Sequence, residues 1–532
     1  MHRVLVTDAI AEAGVDRLHS NAEVDVCIGI SPAELLDCIG AYDALAVRSE
    51  TKVTAQVVAA STRLKVIGRA GVGVDNIDVR AATERGIVVV NSPEGNTIAA
   101  AELSIAMLLA LARRIPQADA SLRAGRWERG RFLGSEVYQK TLGVIGLGKI
   151  GSEVARRARA FEMTVLAYDP FATEDSARHC GASLVALDGI YARSDFITLH
   201  VPLTDKTRGL IGADEMARMK DGVRIVNCAR GGIVDELALA DAVRSGKVAG
   251  AAFDVFTTEP PAADHPLLGL QEVIVTPHLG ASTAEAQVNV ATDIADQIID
   301  VLNGRPARAA VNMPSLSAEE LASVGPYLAL AEKIGSLHTQ LSRDIEGRGE
   351  PIEAVEVAFQ GDFDDVPTDP VTRAVLAGVL SPVLSDPVNL VNAPMIASAR
   401  GLRVTESHTS TQSEYNAMLT VRSRSAAGER TICGAVFGRS DIRVVHIDGY
   451  RVDIVPSGSL LITLHEDRPG MIGAVGTLLG TNAVNIAGMN VGRREVGGQA
   501  LMVLMLDQTV TERVLTGIRS IPGMEEARLV HL

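Results

Sequence analysis

Short runs of β-branched and other apolar residues alternate with helical patterns over the first 280 residues. Several of these runs are continuously apolar, which is typical of parallel strands covered on both faces. The alternation of strand and helix predicts right-handed βαβ units and a doubly wound α/β fold. The predicted strands are Val4–Thr7, Leu64–Gly68, Val88–Asn91, Leu142–Gly146, Thr164–Tyr168, Phe196–His200, Val223–Asn227 and Val273–Thr276.

Two helical patterns are longer than the others, from about Thr97 to Ala124 and from about Ser282 to Leu302. They bracket a glycine-rich segment, so we interpret them as two crossings of the chain between domains. The sequence therefore predicts a discontinuous first domain, residues 1–97 plus 281–310, and a domain inserted into it, residues 98–280.

The residues after about 310 predict two further domains. Gly304 and Pro306 end the second long helix and open a segment typical of a linker. Residues 315–455 mix helical and strand patterns, which predicts an α+β domain without assignable chemistry. Residues 459–532 follow the order strand, helix, strand, strand, helix, strand, and this βαββαβ order predicts a ferredoxin-like domain. Its predicted elements are Leu460–Leu464, a helix after Gly470, Val484–Met489, Leu501–Leu506, Val514–Ile521 and Ala527–His531.

Composition narrows the class of protein. The chain has 50 basic and 65 acidic residues, a net charge of −15, and no dense Lys/Arg tract, which argues against a nucleic-acid surface. Five scattered cysteines without a Cys-x-x-Cys pair indicate neither a disulfide framework nor a metal site and suit a reducing cytoplasm. No leader pattern is visible, and the strongest apolar helical stretch, Leu103 to Ala112, is too short for a membrane span.

A glycine-rich loop gives the first sign of chemistry. Gly146, Gly148 and Gly151 lie between a predicted strand and a predicted helix, and Asp169 follows the next predicted strand, 18 residues past Gly151. In this pattern the glycines allow a tight turn, approach of a pyrophosphate and close helix packing, while the helix N-terminus attracts the phosphates. Because a carboxylate at Asp169 binds ribose hydroxyls and repels a 2′-phosphate, the loop predicts NAD rather than NADP. The alternative is a βα turn that binds nothing.

Three polar residues sit at strand ends or in loops of the inserted domain: Arg230, Glu259 and His278. Strand carboxyl ends face the ligand crevice of an open α/β sheet. A histidine can take the proton of a secondary alcohol, a carboxylate can orient the imidazole, and a guanidinium can hold a substrate carboxylate. Taken singly, each residue also has a purely structural interpretation: a satisfied histidine, a surface acid or a surface ion pair.

The segments around these residues resemble the D-isomer-specific 2-hydroxyacid dehydrogenases. The resemblance rests on residues 227–236, on Asp254-Val255-Phe256 with Glu259-Pro260, and on residues 276–281. It implies a Rossmann NAD domain inserted in a flavodoxin-like substrate domain. It also implies that Arg230 binds the substrate carboxylate, Glu259 supports the histidine and His278 is the acid/base. The implied NAD-binding set is Gly146, Gly148, Lys149, Ile150, Gly151, Asp169, Val201, Cys228, Ala229, Arg230, Asp254, His278, Gly280 and Val72.

The first domain carries the implied remainder of the substrate site. Gly71, Val72 and Gly73 resemble the family's loop whose backbone N–H groups take the substrate carboxylate. Successive N–H groups of this kind form a concave anion-binding site, called a nest. Arg48 and Ser49 follow a strand and resemble a substrate or phosphate contact. Arg48 is the first choice for a phosphate, ahead of Arg69, Arg129 and Arg131, of which the last two are expected to act toward a neighbouring subunit.

The C-terminal segment resembles the ACT modules of amino-acid metabolism. Residues 467–470, Asp-Arg-Pro-Gly, and the pair Asn485-Ile486 carry this resemblance. It implies an amino-acid effector site at His465, Asp467 and Asn485, often at an interface of paired modules. His465 stands where some long relatives have tyrosine. The alternative for this segment is a ferredoxin-like dimerisation domain without a ligand.

The whole layout resembles the long members of the dehydrogenase family, with an α+β intervening domain and a C-terminal ACT regulatory domain. The resemblance implies NAD-dependent oxidation of 3-phospho-D-glycerate to 3-phosphooxypyruvate at the start of serine synthesis, L-serine as effector, and a homodimer or homotetramer. Two alternatives stay open. One is a glyoxylate or hydroxypyruvate reductase, and the other is a non-catalytic scaffold that senses NAD and amino acids.

Overall fold

The computed structural model describes residues 1–305, 307–314, 316, 318–342, 349–364, 366–384, 387–409 and 414–532. Pro306 and residue 315, the predicted start of the intervening domain, lie outside the described residues.

A parallel sheet of five strands in the order β2-β1-β3-β4-β5 begins the fold. This order, with helices after successive strands, is the flavodoxin-like arrangement expected from the sequence. The strands are β1 (Arg3–Val6), β2 (Glu23–Val26), β3 (Ala44–Val47), β4 (Val66–Arg69) and β5 (Val88–Asn91). The helices are α1 (Glu12–His19), α2 (Pro32–Cys38), α3 (Ala55–Ala60) and α4 (Val79–Glu84), with a 3₁₀ helix at Ile39–Ala41.

A second parallel sheet of seven strands follows, in the order β12-β11-β10-β9-β6-β7-β8. The order reverses between β6 and β9, which creates the switch point where α/β sheets bind their ligands. The strands are β6 (Thr141–Ile145), β7 (Thr164–Tyr168), β8 (Ser183–Leu184), β9 (Phe196–Leu199), β10 (Val223–Asn227), β11 (Val248–Phe253) and β12 (Val273–Val275). The helices are α5 (Thr97–Arg113), α6 (Ile115–Arg123), α7 (Lys149–Ala160), α8 (Glu174–His179), α9 (Leu187–Arg193), α10 (Ala213–Arg218), α11 (Glu236–Arg244) and α12 (Ala284–Leu302), with a 3₁₀ helix at Arg129–Phe132.

The long helices connect the two sheets. Leu108 of α5 is buried in the core of the second sheet, whereas Ile294 and Ile298 of α12 are buried in the core of the first. The division into residues 1–97 plus 281–310 and residues 98–280 stays a prediction.

The predicted single helix from Thr97 to Ala124 is wrong. Arg114 adopts the left-handed conformation (φ 52°) and separates α5 from α6. Pro116 follows in the first turn of α6, a position that proline tolerates because the N–H there has no partner inside the helix. The helix therefore restarts rather than continues.

Residues 318–454 form an α+β unit, as predicted, with a sheet in the order β14-β13-β15-β16-β17-β18. Its core joins two adjacent helices to one face of the sheet. The helices are α13 (Ala318–Leu341), α14 (Thr368–Leu380) and α15 (Ala393–Ala399), with a 3₁₀ helix at Ser381–Val383. The strands are β13 (Ala354–Gly361), β14 (Arg403–Thr409), β15 (Ala417–Ser425), β16 (Gly428–Phe437), β17 (Asp441–Ile447) and β18 (Tyr450–Ile454).

The C-terminal unit has the predicted βαββαβ order, with an antiparallel sheet in the order β20-β21-β19-β22. Its elements are β19 (Ser459–Glu466), α16 (Met471–Thr481), β20 (Ile486–Arg493), β21 (Gln499–Leu506), α17 (Glu512–Arg519) and β22 (Met524–His531). Across the described ranges, no helix has the length and apolar character that crossing a bilayer requires.

Candidate active site

The glycine-rich loop follows β6 at the switch point. A Cβ on Gly151 would lie 2.0 Å from the carbonyl oxygen of Gly146, and one on Gly146 (φ 94°) would lie 2.6 Å from that of His200. A Cβ on Gly148, by contrast, would meet no atom within 4 Å. The outer glycines are thus required by close packing, while the middle glycine faces open space at the N-terminus of α7. This cradle fits a dinucleotide pyrophosphate.

The ribose end of the cradle has the expected carboxylate. Asp169 Oδ2 accepts a 2.8 Å hydrogen bond from the N–H of Leu147, inside the glycine-rich loop, and Oδ1 accepts one from Phe171. The carboxylate therefore lies against the loop.

Three further predicted cofactor residues lie beside this cradle. Val201 reaches Gly146 from the end of β9. Lys149 Nζ lies 2.6 Å from Glu94 Oε1, which lowers the pKa of Glu94. Ile150 occupies the first turn of α7.

His278 and Glu259 form a close pair. His278 Nδ1 lies 2.7 Å from Glu259 Oε2, and Glu259 Oε1 accepts a 3.0 Å hydrogen bond from the N–H of Phe256. Burial opposes ionisation of Glu259, but the hydrogen bonds from His278 and Phe256 and the positive charges of His278 and Arg230 lower its pKa overall. A largely apolar cavity of about 390 Å³ lies against the pair.

Asp254 holds the loop that carries His278. Its carboxylate is fully buried and accepts hydrogen bonds from Thr276 Oγ1 (2.6 Å) and from the N–H groups of Leu279 (2.7 Å) and Gly280 (2.9 Å). Its carbonyl accepts one from the N–H of His278, which adopts a left-handed conformation (φ 55°). Burial raises the pKa of Asp254. This residue thus stabilises an unusual backbone conformation at the predicted base.

Cys228 and Ala229 follow β10 near this loop. Burial, reinforced by the charge of Asp254, raises the pKa of the Cys228 thiol to about 12. This thiol therefore stays protonated and is not a nucleophile.

Arg230 lies against the predicted substrate loop. A Cβ on Gly73 would lie 2.1 Å from Arg230 Nη2, so the guanidinium sits directly over this glycine. Arg230 Nη1 donates to the carbonyl of Ala229 (2.7 Å), and Nε lies 3.3 Å from Asp75 Oδ2. The loop is tied to the end of β5, where Asn91 Nδ2 donates to the carbonyl of Val72 (2.5 Å).

A second arginine covers the same loop. A Cβ on Gly71 (φ 146°) would lie 1.8 Å from Arg69 Nη1. Burial and the nearby charges of Arg230 and Arg48 lower the pKa of Arg69 to about 10, against the opposing effect of Asp75. Three guanidinium groups therefore concentrate positive charge beside the nest.

Arg48 and Ser49 lie in a loop that a buried acid organises. Asp8, 2% exposed, accepts hydrogen bonds from the N–H groups of Arg48 (2.6 Å) and Thr51 (3.1 Å). Sequence analysis missed Asp8. Asp8 lies two residues past the end of β1, at the carboxyl edge of the sheet, and this position after a strand is the sequence signal that could have identified it.

Two of the four phosphate candidates do not join this cluster within one chain. Arg131 pairs with Glu128 and donates to Gln271, and it shares a cavity with Arg224 at the start of β10, the opposite edge of the sheet. Arg129 is exposed in the adjoining 3₁₀ helix.

The predicted effector residues are divided between the two ends of the C-terminal sheet. His465 pairs with Ala500 of β21, whereas Ile486, next to Asn485, pairs with Leu506. At ~3.3 Å per residue these levels are about 20 Å apart. Asp467 lies near His465 and accepts from Gly497 and Arg493, contacts that lower its pKa. One chain therefore does not assemble the three residues into one site.

Comparisons with known proteins agree with this architecture. Residues 105–280 match the family model of the D-isomer specific 2-hydroxyacid dehydrogenase NAD binding domain, residues 323–448 that of the D-3-phosphoglycerate dehydrogenase intervening domain, and residues 458–523 that of the ACT domain. The chain is 48% identical over its full length to proteins named D-3-phosphoglycerate dehydrogenase from Synechocystis sp. and Archaeoglobus fulgidus, of which it covers 95% and 100%. It also resembles a solved D-lactate dehydrogenase from Aquifex aeolicus, complexed with NAD and lactic acid, at 30% identity and a TM-score of 0.52, over 57% of this chain and 96% of that one.

Proposed function

We propose a role for each residue of the site from the premise that this chain belongs to the D-3-phosphoglycerate dehydrogenase family. The enzyme uses NAD to oxidise 3-phospho-D-glycerate to 3-phosphooxypyruvate, the first step of L-serine biosynthesis. The observation that carries the residue assignment is the 2.7 Å contact between His278 and Glu259, at the same sheet edge as Arg230 and the glycine-rich loop.

His278 is the acid/base of the reaction. NAD, when bound along Gly146 to Gly151, supplies the acceptor for the hydride that leaves the substrate's C–H. The hydroxyl proton moves to Nε2 of His278, while Nδ1–H donates to Glu259. The ionised Glu259 stabilises the imidazolium that forms and fixes the tautomer of the neutral ring.

The substrate's carboxylate binds Arg230 and the backbone N–H groups of the loop from Gly71 to Gly73. Arg230 already lies on this loop, so a carboxylate can bridge the guanidinium and the nest without a large movement of the chain. This geometry turns the 2-hydroxyl toward His278.

The substrate's phosphate binds Arg48 and Arg69. Burial and the adjacent guanidinium groups lower the pKa of Arg69, which indicates an excess of positive charge around it. The dianionic phosphate of the substrate relieves the repulsion among these groups. In the described part of the chain, Arg69 Nε is buried without a hydrogen-bond partner, which leaves a donor for this ligand.

The assignment is tested by NAD reduction with 3-phosphoglycerate. We expect His278→Asn and Glu259→Gln to lower kcat by ~100-fold or more, as loss of general acid–base catalysis does. We expect Arg48→Ala to raise KM for 3-phosphoglycerate while leaving hydroxypyruvate reduction nearly unchanged. Wild-type kcat in His278→Asn excludes the assigned base. A preference for glyoxylate or hydroxypyruvate identifies a simpler reductase, and absence of turnover identifies a scaffold.

Regulation and assembly are proposed together. Because His465 and Asn485 lie about 20 Å apart in one C-terminal sheet, an effector that binds both needs two copies of the module. We therefore propose a homodimer or homotetramer that binds L-serine between paired modules. Mass measurement and activity with titrated serine test this proposal. A monomer that serine inhibits contradicts the shared site.

The compartment is proposed from cysteine chemistry. All five cysteines are free thiols, and burial raises the pKa of Cys228 and Cys433. This state suits the reducing cytoplasm.

A further inference from the structure

A second glutamate–histidine pair lies behind the catalytic pair. Glu236 is the first residue of α11, and its side chain is only 11% exposed. Its Oε2 lies 2.9 Å from His265 Nε2, and its Oε1 accepts hydrogen bonds from both the N–H (2.7 Å) and the hydroxyl (2.8 Å) of Thr257. Both oxygens of this largely covered carboxylate therefore contact one loop.

That loop is the segment that carries Glu259. Thr257 lies two residues before Glu259, and the N–H of Phe256, the residue directly before Thr257, donates to Glu259 Oε1. The ring of His265 packs edge-on against Phe256 at 5.4 Å between centroids. Glu236 thus contacts the loop that carries Glu259 at two places, Thr257 and His265.

Arg230 is coupled to the same loop through its neighbour. A Cβ on Gly231 would lie 2.0 Å from the carbonyl carbon and oxygen of Phe256, so the chain after Arg230 packs directly against the loop. A shift of the loop therefore moves Glu259 relative to both His278 and Arg230.

We propose that Glu236 is a positioning residue for the hydride-transfer site, which acts by fixing Glu259 against His278. This inference rests on the proposed roles of Glu259 and His278. Glu236 acts through the loop, because its two oxygens are engaged by Thr257 and His265. Misplacement of a catalytic group by ~1 Å costs on the order of 100-fold in rate. A shift of the loop that carries Glu259 therefore has a measurable effect on kcat.

The test is Glu236→Gln in the full-length enzyme. Glutamine keeps the size of the side chain but offers one acceptor in place of two, so it loses either the Thr257 or the His265 contact. We expect kcat to fall about 10- to 100-fold, and KM for NAD to change less than twofold. We also expect the acid limb of the kcat/KM profile to move to lower pH, as in Glu259→Gln, because withdrawal of a carboxylate disfavours the imidazolium.

Asp235→Asn is the matched control. Asp235 precedes Glu236 and caps α11 through the N–H groups of Leu237 and Ala238, so it loses the same charge without touching the loop. We expect wild-type kcat and an unchanged pH profile. Thr257→Val removes one of the three contacts and leaves Glu236 intact, so a smaller loss in the same direction is expected even if Glu236→Gln fails to fold.

A double-mutant cycle separates positioning from general destabilisation. In the Glu259→Gln background, Glu236→Gln is expected to lower kcat less than twofold further, since the group that it positions is already gone. Independent losses that multiply overturn the inference, as does wild-type kcat in both Glu236→Gln and Thr257→Val. If Glu259→Gln and His278→Asn are themselves fully active, the proposed catalytic roles fail instead.

Discussion

The carboxylate of Asp75 lies 3.3 Å from Nε of Arg230, the guanidinium that we assign to the substrate's carboxylate. On this assignment, Asp75 occupies part of the position of the substrate anion. We expect Asp75→Asn to lower KM for 3-phosphoglycerate about two- to fivefold, because an exposed ion pair of this kind is worth roughly 0.2–1 kcal/mol. Initial rates at low and high salt measure the effect, which is expected to shrink as salt screens the pair.

Glu84→Gln controls for the loss of one negative charge. Glu84 pairs with Arg80 on the exposed face of α4, away from the site. If KM rises in Asp75→Asn and not in Glu84→Gln, Asp75 orients Arg230 instead of competing with the substrate.

Asp8 offers a prediction about the phosphate end of the site. In Asp8→Asn, an amide nitrogen faces backbone N–H groups of the loop that carries Arg48, and a buried unpaired donor costs about 1–3 kcal/mol. We expect KM for 3-phosphoglycerate to rise about tenfold, with a smaller change for an unphosphorylated 2-hydroxy acid. The exposed substitution Asp16→Asn is the control. Equal losses with both substrates indicate general loosening of the first sheet.

The parts of the candidate site that lie at one edge of the second sheet could be predicted from the sequence. Arg230 and His278 follow parallel strands, and the carboxyl ends of such strands meet at one edge, so their proximity to the glycine-rich loop is predictable. The pairing of Glu259 with His278 is what the family resemblance implies, because Glu259 lies in a loop six residues past the end of β11.

Other features depend on packing between distant segments. β11 has one β-branched residue, Val248, followed by four Ala or Gly residues before Phe253, and this weak strand signal leaves it without a sequence-based prediction. The left-handed Arg114 has no sequence signal beyond Pro116. Asp8 contacts the loop of Arg48, and Asp75 contacts Arg230. Such contacts between different loops cannot be predicted from the periodicity of the sequence.

Asp169 gives a prediction about cofactor choice. We expect Asp169→Ser to lower the ratio of kcat/KM for NAD over NADP by about 100-fold, because it removes a charge that repels the 2′-phosphate at short range. We also expect lower activity with NAD, since the substitution removes the carboxylate that accepts the hydrogen bond from the Leu147 N–H. Steady-state rates with both cofactors measure the ratio. Glu174→Gln, an exposed acid in the first turn of α8, is the control, and an unchanged ratio in Asp169→Ser contradicts the assignment.

The buried His338 gives a prediction about stability and pH. It lies on α13 and faces β15, with Nδ1 2.7 Å from Ser423 Oγ and Nε2 3.1 Å from the carbonyl of Val421. Burial, with a smaller contribution from Arg430, lowers its pKa to about 3. In the unfolded chain the histidine has a pKa of ~6.5. Between that pH and about 3 the unfolded chain therefore binds a proton at this residue, whereas the folded chain does not. Stability is therefore lost as the pH falls from ~6.5 toward 3, by up to about 1.4 kcal/mol per pH unit.

His338→Gln is expected to destabilise the enzyme at pH 8, since it disturbs a fully buried and hydrogen-bonded group, yet to flatten the acid slope. The measurement is the difference in thermal midpoint between variant and wild type at a series of pH values from 8 to 4. That difference is expected to narrow as the pH falls below ~6.5, because only the wild type then loses stability by keeping His338 neutral in the folded state. His19→Gln on the exposed face of α1 is the control, with a constant difference. If the wild-type and His338→Gln curves stay parallel, His338 is not a source of the acid sensitivity.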